Sequence, residues 1–249
     1  MRFPFNPRVL PRLSLLMGGL GLALQIWLQN AGIDDKGLLN TGHPANILVF
    51  VLTAVFLLLL AAAAQPLTAA DKYAKLFPAS PRRALGAIFG GIGMLYGGIF
   101  MHLPLTDIFS ILLLLLGILA AAAMTGTAFC RLKGLRPNFL LPTAITLYMM
   151  LHTVSECRNW NALSQVEEYF FPLMACVFLL LTCYQASLLN LQRGSRRQYV
   201  FYSQAALFFC LLSATNHTVF YLCMAGWLAL DLCSLRRTRI GKFLKEDRK

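Results

Sequence analysis

The sequence predicts an all-α fold, a polytopic membrane bundle of about eight transmembrane helices, on three observations. Apolar residues make up 58% of the chain and charged residues only 13%, about half the charged share of a soluble domain. The apolar residues fall in runs of about twenty, the length that crosses a hydrocarbon core. Lysine and arginine gather in every second gap between those runs, the pattern that orients a membrane protein.

The first run, about 13–29, follows the basic stretch "MRFPFNPRVLPR" as a signal peptide would. "LQIWLQNAG" has no small-x-small cleavage site and puts Trp27 where small residues belong, so an uncleaved anchor is expected. The second, about 45–65, opens behind Pro44. The third, about 84–103, contains "GAIFGGIGMLYGG", whose Gly86, Gly90, Gly93 and Gly97 predict close helix contact. The fourth, about 107–130, is centred on "ILLLLLGILAAAA". Runs five and six, about 138–156 and 168–191, carry Pro142 and Pro172 in their first turns, where a missing N–H is tolerated. Between runs seven and eight, about 199–214 and 217–235, lies only "TNH", Thr215 to His217, which is expected to form a tight hairpin.

With the N-terminus in the cytoplasm, every lysine and arginine except Lys36 and Arg158 falls on the inner side. Both termini are therefore expected to be cytoplasmic, in a multi-pass protein of the cell membrane. Asp34, Asp35, Asp107, Glu156, Glu167 and Glu168 fall at outer ends or loops, as do His43, His102, His152 and His217. The net charge of +12 thus describes a polarised membrane protein rather than a nucleic-acid binder. The lipid bilayer is the expected partner. Near anionic lipids at the cytoplasmic face, the basic tail "RRTRIGKFLKEDRK" gains about 1 kcal/mol per basic residue. A protein partner or a homo-oligomer is compatible with this reading.

Parts of the sequence look alike. "SPRRALGAIFGGIGMLYGGIFMHLPL" and "GSRRQYVFYSQAALFFCLLSATNHTVF" both start with an Arg pair, cross one span and reach a histidine. Arg82 answers Arg196, and His102 answers His217. This predicts two four-helix halves, 1–134 and 135–249, as a parallel 4+4 internal repeat.

Chemistry concentrates at the outer end of the fifth run. Tyr148, His152 and Glu156 recur every four residues and share one helical stripe. The corresponding stripe of the first run carries Gln25 and Gln29. If both face inward, they line an outward-facing cavity with His102, His217, Glu167 and Glu168 near its rim. Such a set would suit a cation, a proton-coupled solute or a metal. Deeper, Tyr184, Gln185, Ser187 and Asn190 would continue a path or make hydrogen bonds between helices. Asp231 has Arg236 and Arg237 nearby for an ion pair.

Nothing predicts a cofactor: neither GxGxxG nor a P-loop is present. The seven cysteines include no CxxC pair and lie mostly in apolar runs, so they read as structural thiols. No nucleophile–base set is visible, and the balance leans away from an enzyme. "GLLNTGHPA" and "CRNW...EEYFF" give the chain a resemblance to uncharacterised multi-pass proteins of clostridial-type bacteria, which implies no function. The function expected is that of a transporter or permease-like protein with a small polar site open to the outside. The alternative is a non-transporting accessory, assembly or sensor subunit.

Overall fold

The computed structural model describes residues 9–32, 43–64, 77, 79–101, 107–161 and 166–235, with backbone alone for 9, 159–161 and 166–168. Every regular element among them is helical. The α-helices are α1 (Val9–Ala31), α2 (Pro44–Ala64), α3 (Pro81–Phe100), α4 (Ile108–Lys133), α5 (Leu140–Asn161), α6 (Val166–Asn190), α7 (Arg196–Leu212) and α8 (Thr218–Cys233). A 3₁₀ turn, Ser213–Thr215, joins the last two. Runs seven and eight are thus separate helices, as the "TNH" break predicts.

Breakers in the sequence set the helix ends. Pro44 and Pro81 occupy first helical positions, where a missing N–H costs nothing. Gly134 ends α4 in the left-handed region at φ 68°, and the N–H groups of Gly134 and Leu135 both donate to the Cys130 carbonyl. Gln192 takes the same conformation after α6, at φ 60°, without glycine's freedom.

Consecutive helices from α3 to α8 pack as neighbours, and α8 closes on α3, so these six form a ring. The α1–α2 hairpin covers the outer face of α7. That makes α7 the most enclosed helix, with Ser203 to Cys210 buried without interruption. Stacking of Phe56 on Phe208, centroids 4.3 Å apart, pins α2 to it.

The third helix packs as its glycines predict, on two sides. Gly86, Gly90, Gly93 and Gly97 face α8, while Gly91 and Gly98 face α4. At Gly98 a Cβ would lie 3.0 Å from the Gly117 Cα, so no side chain fits between α3 and α4 there.

Five helices, α1, α2, α3, α4 and α6, are long and apolar enough to cross a membrane, which points to a membrane protein. They expose large apolar side chains outward, among them Leu16, Leu58 and Leu115. The expected count of eight rests on three more. Helix α5 has 22 residues but carries His152, Glu156 and Arg158. Helices α7 and α8 have 17 and 16 residues, about 25 Å of rise against a core of about 30 Å.

The helix neighbours do not display the 4+4 repeat. Under it, α3 on α8 would require α7 on α4, and those two helices are not neighbours among the described residues. The α1–α2 hairpin lies outside the ring, whereas its supposed counterparts, α5 and α6, stand in it.

Candidate functional site

The antiparallel ring puts the Thr215–His217 turn at one end, here the hairpin end, and Asp231 at the other, the tail end. Polar groups collect at both.

At the hairpin end, α5 turns its Tyr148–His152–Glu156 stripe toward the ring interior. Tyr148 and His152 are both fully buried, and Glu156 is half-buried one turn nearer the end. The His152 ring lies nearly parallel to Tyr148, with centroids 5.6 Å apart. Phe220 of α8 closes on it at 5.0 Å. The Tyr148 hydroxyl points at Gly97 of α3, where a Cβ would stand 2.6 Å away, so a glycine is needed opposite it. That hydroxyl is buried and has no hydrogen-bond partner among the described residues. Across the interior, the Cys176 thiol of α6 meets the Tyr221 hydroxyl of α8 at 3.8 Å.

Gln25 and Gln29 belong to a different space. They line a cavity of about 20 Å³ with Asn46, Phe171, Pro172, Leu212, Ser213, Thr215 and Asn216. None of Tyr148, His152 and Glu156 is among the described residues that line it. Helix α1 packs on the back of α7, and its glutamines look into the gap among α1, α2 and α6. His217 stands just before α8, with its side chain exposed and making no capping hydrogen bond. Burial of part of its ring lowers its proton affinity. His102 lies outside the described residues, as do the side chains of Glu167 and Glu168. Among the described residues, no three His, Cys, Asp or Glu side chains gather as a metal-binding group.

The tail end holds a buried charge cluster that the sequence reading assigned to other partners. Asp231 of α8 is fully buried, with Arg131 of α4 at 3.0 Å and Arg83 of α3 at 3.7 Å. Tyr199 of α7 donates its hydroxyl proton to the same carboxylate. Arg83 Nε donates to Ser234 Oγ at 2.7 Å. The Phe77 ring lies beneath both guanidinium groups, at 4.9 and 6.0 Å, and meets Tyr199 edge-on. The expected pairing was with Arg236 and Arg237, which lie outside the described residues. The arginines found on Asp231 come from α3 and α4, distant in sequence. The inner-side signal could have suggested them, since Arg83 and Arg131 start and end neighbouring helices at the same level.

The proposed inward path along α6 resolves into hydrogen bonds between helices. Gln185 Nε2 donates to Gln198 Oε1 at 3.1 Å. Ser187 Oγ lies 3.0 Å from Thr146 Oγ1 and donates to the Pro142 carbonyl. Asn190 accepts from Arg136 Nε at 3.0 Å and donates to the Pro137 carbonyl. Tyr184 is exposed. Beside this network a void of about 30 Å³, lined by Thr127, Arg131, Asn190 and Trp227 among others, has room for one or two water molecules.

No family model matches the chain, and no curated protein or solved structure matches it significantly. The functional reading therefore rests on the geometry alone.

Proposed function

We propose that this is a transporter-like membrane protein that handles protons, or a cation no larger than a water molecule, through the Tyr148–His152–Glu156 stripe. One observation carries the reading: the Tyr148 hydroxyl, fully buried and unpartnered among the described residues, stacks beside an equally buried imidazole one turn from Glu156. Buried polar groups are nearly always satisfied, and an orphan one calls for a functional cause. Polar and ionisable groups inside a membrane bundle mark proton and ion pathways. Imidazole changes charge near neutral pH, and Glu156 provides a half-buried carboxylate at the entrance. The cavities found are of water size, which favours a proton or bare ion over a bulky solute.

In this reading all eight helices cross the bilayer, α7 and α8 being shielded by their neighbours. The tail end faces the cytoplasm, as the distribution of Lys and Arg supports. The basic tail then rests against anionic lipid. A second reading, a non-transporting assembly or sensor subunit, is favoured by the same small cavities.

Reconstitution into liposomes carrying a pH-sensitive dye, with a potassium diffusion potential imposed, separates the two. The proposal expects proton uptake above that of empty liposomes. His152→Ala and Glu156→Gln should each lower it at least tenfold, and Tyr148→Phe should lower it too. If the unaltered protein gives no flux above background, the accessory reading takes over; if the variants conduct equally well, the stripe is not the path and the proposal fails.

A further inference from the structure

The second polar space at the hairpin end has chemistry of its own. Its lining brings together four carboxamides, Gln25, Gln29, Asn46 and Asn216, and two hydroxyls, Ser213 and Thr215. Among the described residues, no charged side chain lines it. A site for an anion would present basic groups, and a site for a divalent ion would present carboxylates. Neutral oxygen donors in a small gap suit a monovalent hard cation, whose hydration shell carbonyl and hydroxyl oxygens can replace.

Two further observations point the same way. The Ser213 hydroxyl is buried, at 1% exposure, and has no hydrogen-bond partner among the described residues. It therefore keeps a free lone pair on a residue that lines the cavity. The cavity also sits where α7 stops and tightens into the 3₁₀ turn, Ser213–Thr215. The last carbonyls of a helix carry partial negative charge, and such helix ends hold sodium in transport proteins. Pro172, which lines the cavity, lies inside α6 and removes one more N–H from the neighbourhood. At about 20 Å³ the space matches one water molecule or one dehydrated sodium ion.

We propose that the cavity lined by Gln25, Gln29, Asn46, Ser213, Thr215 and Asn216 is a sodium-binding site that ties the α1–α2 hairpin to the end of α7. It does not depend on the Tyr148–His152–Glu156 reading, because it shares no residue with that stripe.

The test uses the purified full chain in detergent, unfolded by heat in sodium, potassium or choline chloride at equal ionic strength. Sodium at ten times its half-saturating concentration should raise the midpoint by about 4 °C over choline, and potassium should raise it less. Binding of radioactive sodium to the same sample should saturate. Ser213→Ala and Gln29→Leu should raise the half-saturating concentration at least tenfold while leaving the midpoint in choline near that of the parent. Should Gln29→Leu fail to fold, Thr215→Val serves in its place. Equal midpoints in all three salts, with no saturable tracer binding, would mean that the cavity holds water only and would overturn the proposal. Loss of sodium binding with proton flux retained, or the reverse, tells the two sites apart.

Discussion

The two ends of the helix ring hold their polar groups in opposite ways. At the tail end the buried charges are paired, with Asp231 among Arg83, Arg131 and Tyr199, beside neutral amides such as Gln185 and Asn190. At the hairpin end the buried polar groups are aromatic, imidazole, carboxamide and hydroxyl, and two of the hydroxyls, those of Tyr148 and Ser213, have no partner among the described residues. A buried ion pair cannot relax without exposing an uncompensated charge, so the tail end should be rigid. A neutral polar group can change partners at lower cost, through a water, a proton or a small cation. The tail-end charges clamp α3, α4, α7 and α8 together, and at the hairpin end the Tyr148 and Ser213 hydroxyls keep unused hydrogen-bonding capacity.

The sharpest way to break this comparison is to remove the charge at its centre. Asp231→Ala leaves two buried guanidinium groups facing each other and should destabilise the bundle by about 3–5 kcal/mol. Thermal unfolding in detergent would measure it. Replacing Arg83 and Arg131 by methionine along with Asp231→Leu should recover most of the loss, since an apolar cluster of similar volume needs no counter-charge. If Asp231→Ala is tolerated, the clamp is not what holds this end.

The hairpin end offers a purely steric counterpart. Gly98→Val drives a branched side chain onto the Gly117 backbone of α4. Overpacking of this kind costs about 1–3 kcal/mol. It should also displace α3 from the Tyr148 hydroxyl, so proton uptake should fall together with stability. Gly19→Val, with open space around the new Cβ, is the control and should leave both unchanged.

The smallest effect is in the pH response. Burial lowers the proton affinity of His217 in the folded protein. Above the ordinary imidazole range both states leave it neutral, and it contributes nothing. As pH falls through about 6.5 the unfolded chain takes up the proton before the folded one does, so stability declines. His217→Gln should flatten that part of the stability profile, measured by unfolding between pH 7.5 and pH 5 (about 6.5 being the midpoint of the window). An unaltered slope would mean that the His217 ring is fully hydrated.

Much of the fold was legible because lipid imposes strong rules. Runs such as "ILLLLLGILAAAA" have nowhere to go but a membrane or a core, and Pro44 marks a boundary between them. The glycines of α3 announced close approach, and the spacing of Tyr148, His152 and Glu156 announced a common face. The site was legible only by halves. Gln25 and Gln29 were placed on an inward stripe, yet which space they enter depends on where α1 docks, and no local pattern encodes that. Thr215 and Asn216 were read only as a hairpin turn, and Asn46 and Ser213 drew no attention, because single amides and hydroxyls near helix ends are ordinary in sequence.

Periodicity and composition, read from the chain alone, determined the helices, their apolar faces and the residues sharing the α5 stripe, because these are properties of one segment and its solvent. The tertiary structure alone decided that α8 closes a six-helix ring on α3, that the α1–α2 hairpin stays outside it, and that Asp231 pairs with arginines from α3 and α4. Those contacts join residues far apart in sequence. They are selected by the packing of many side chains at once, and no stretch of twenty residues contains that information.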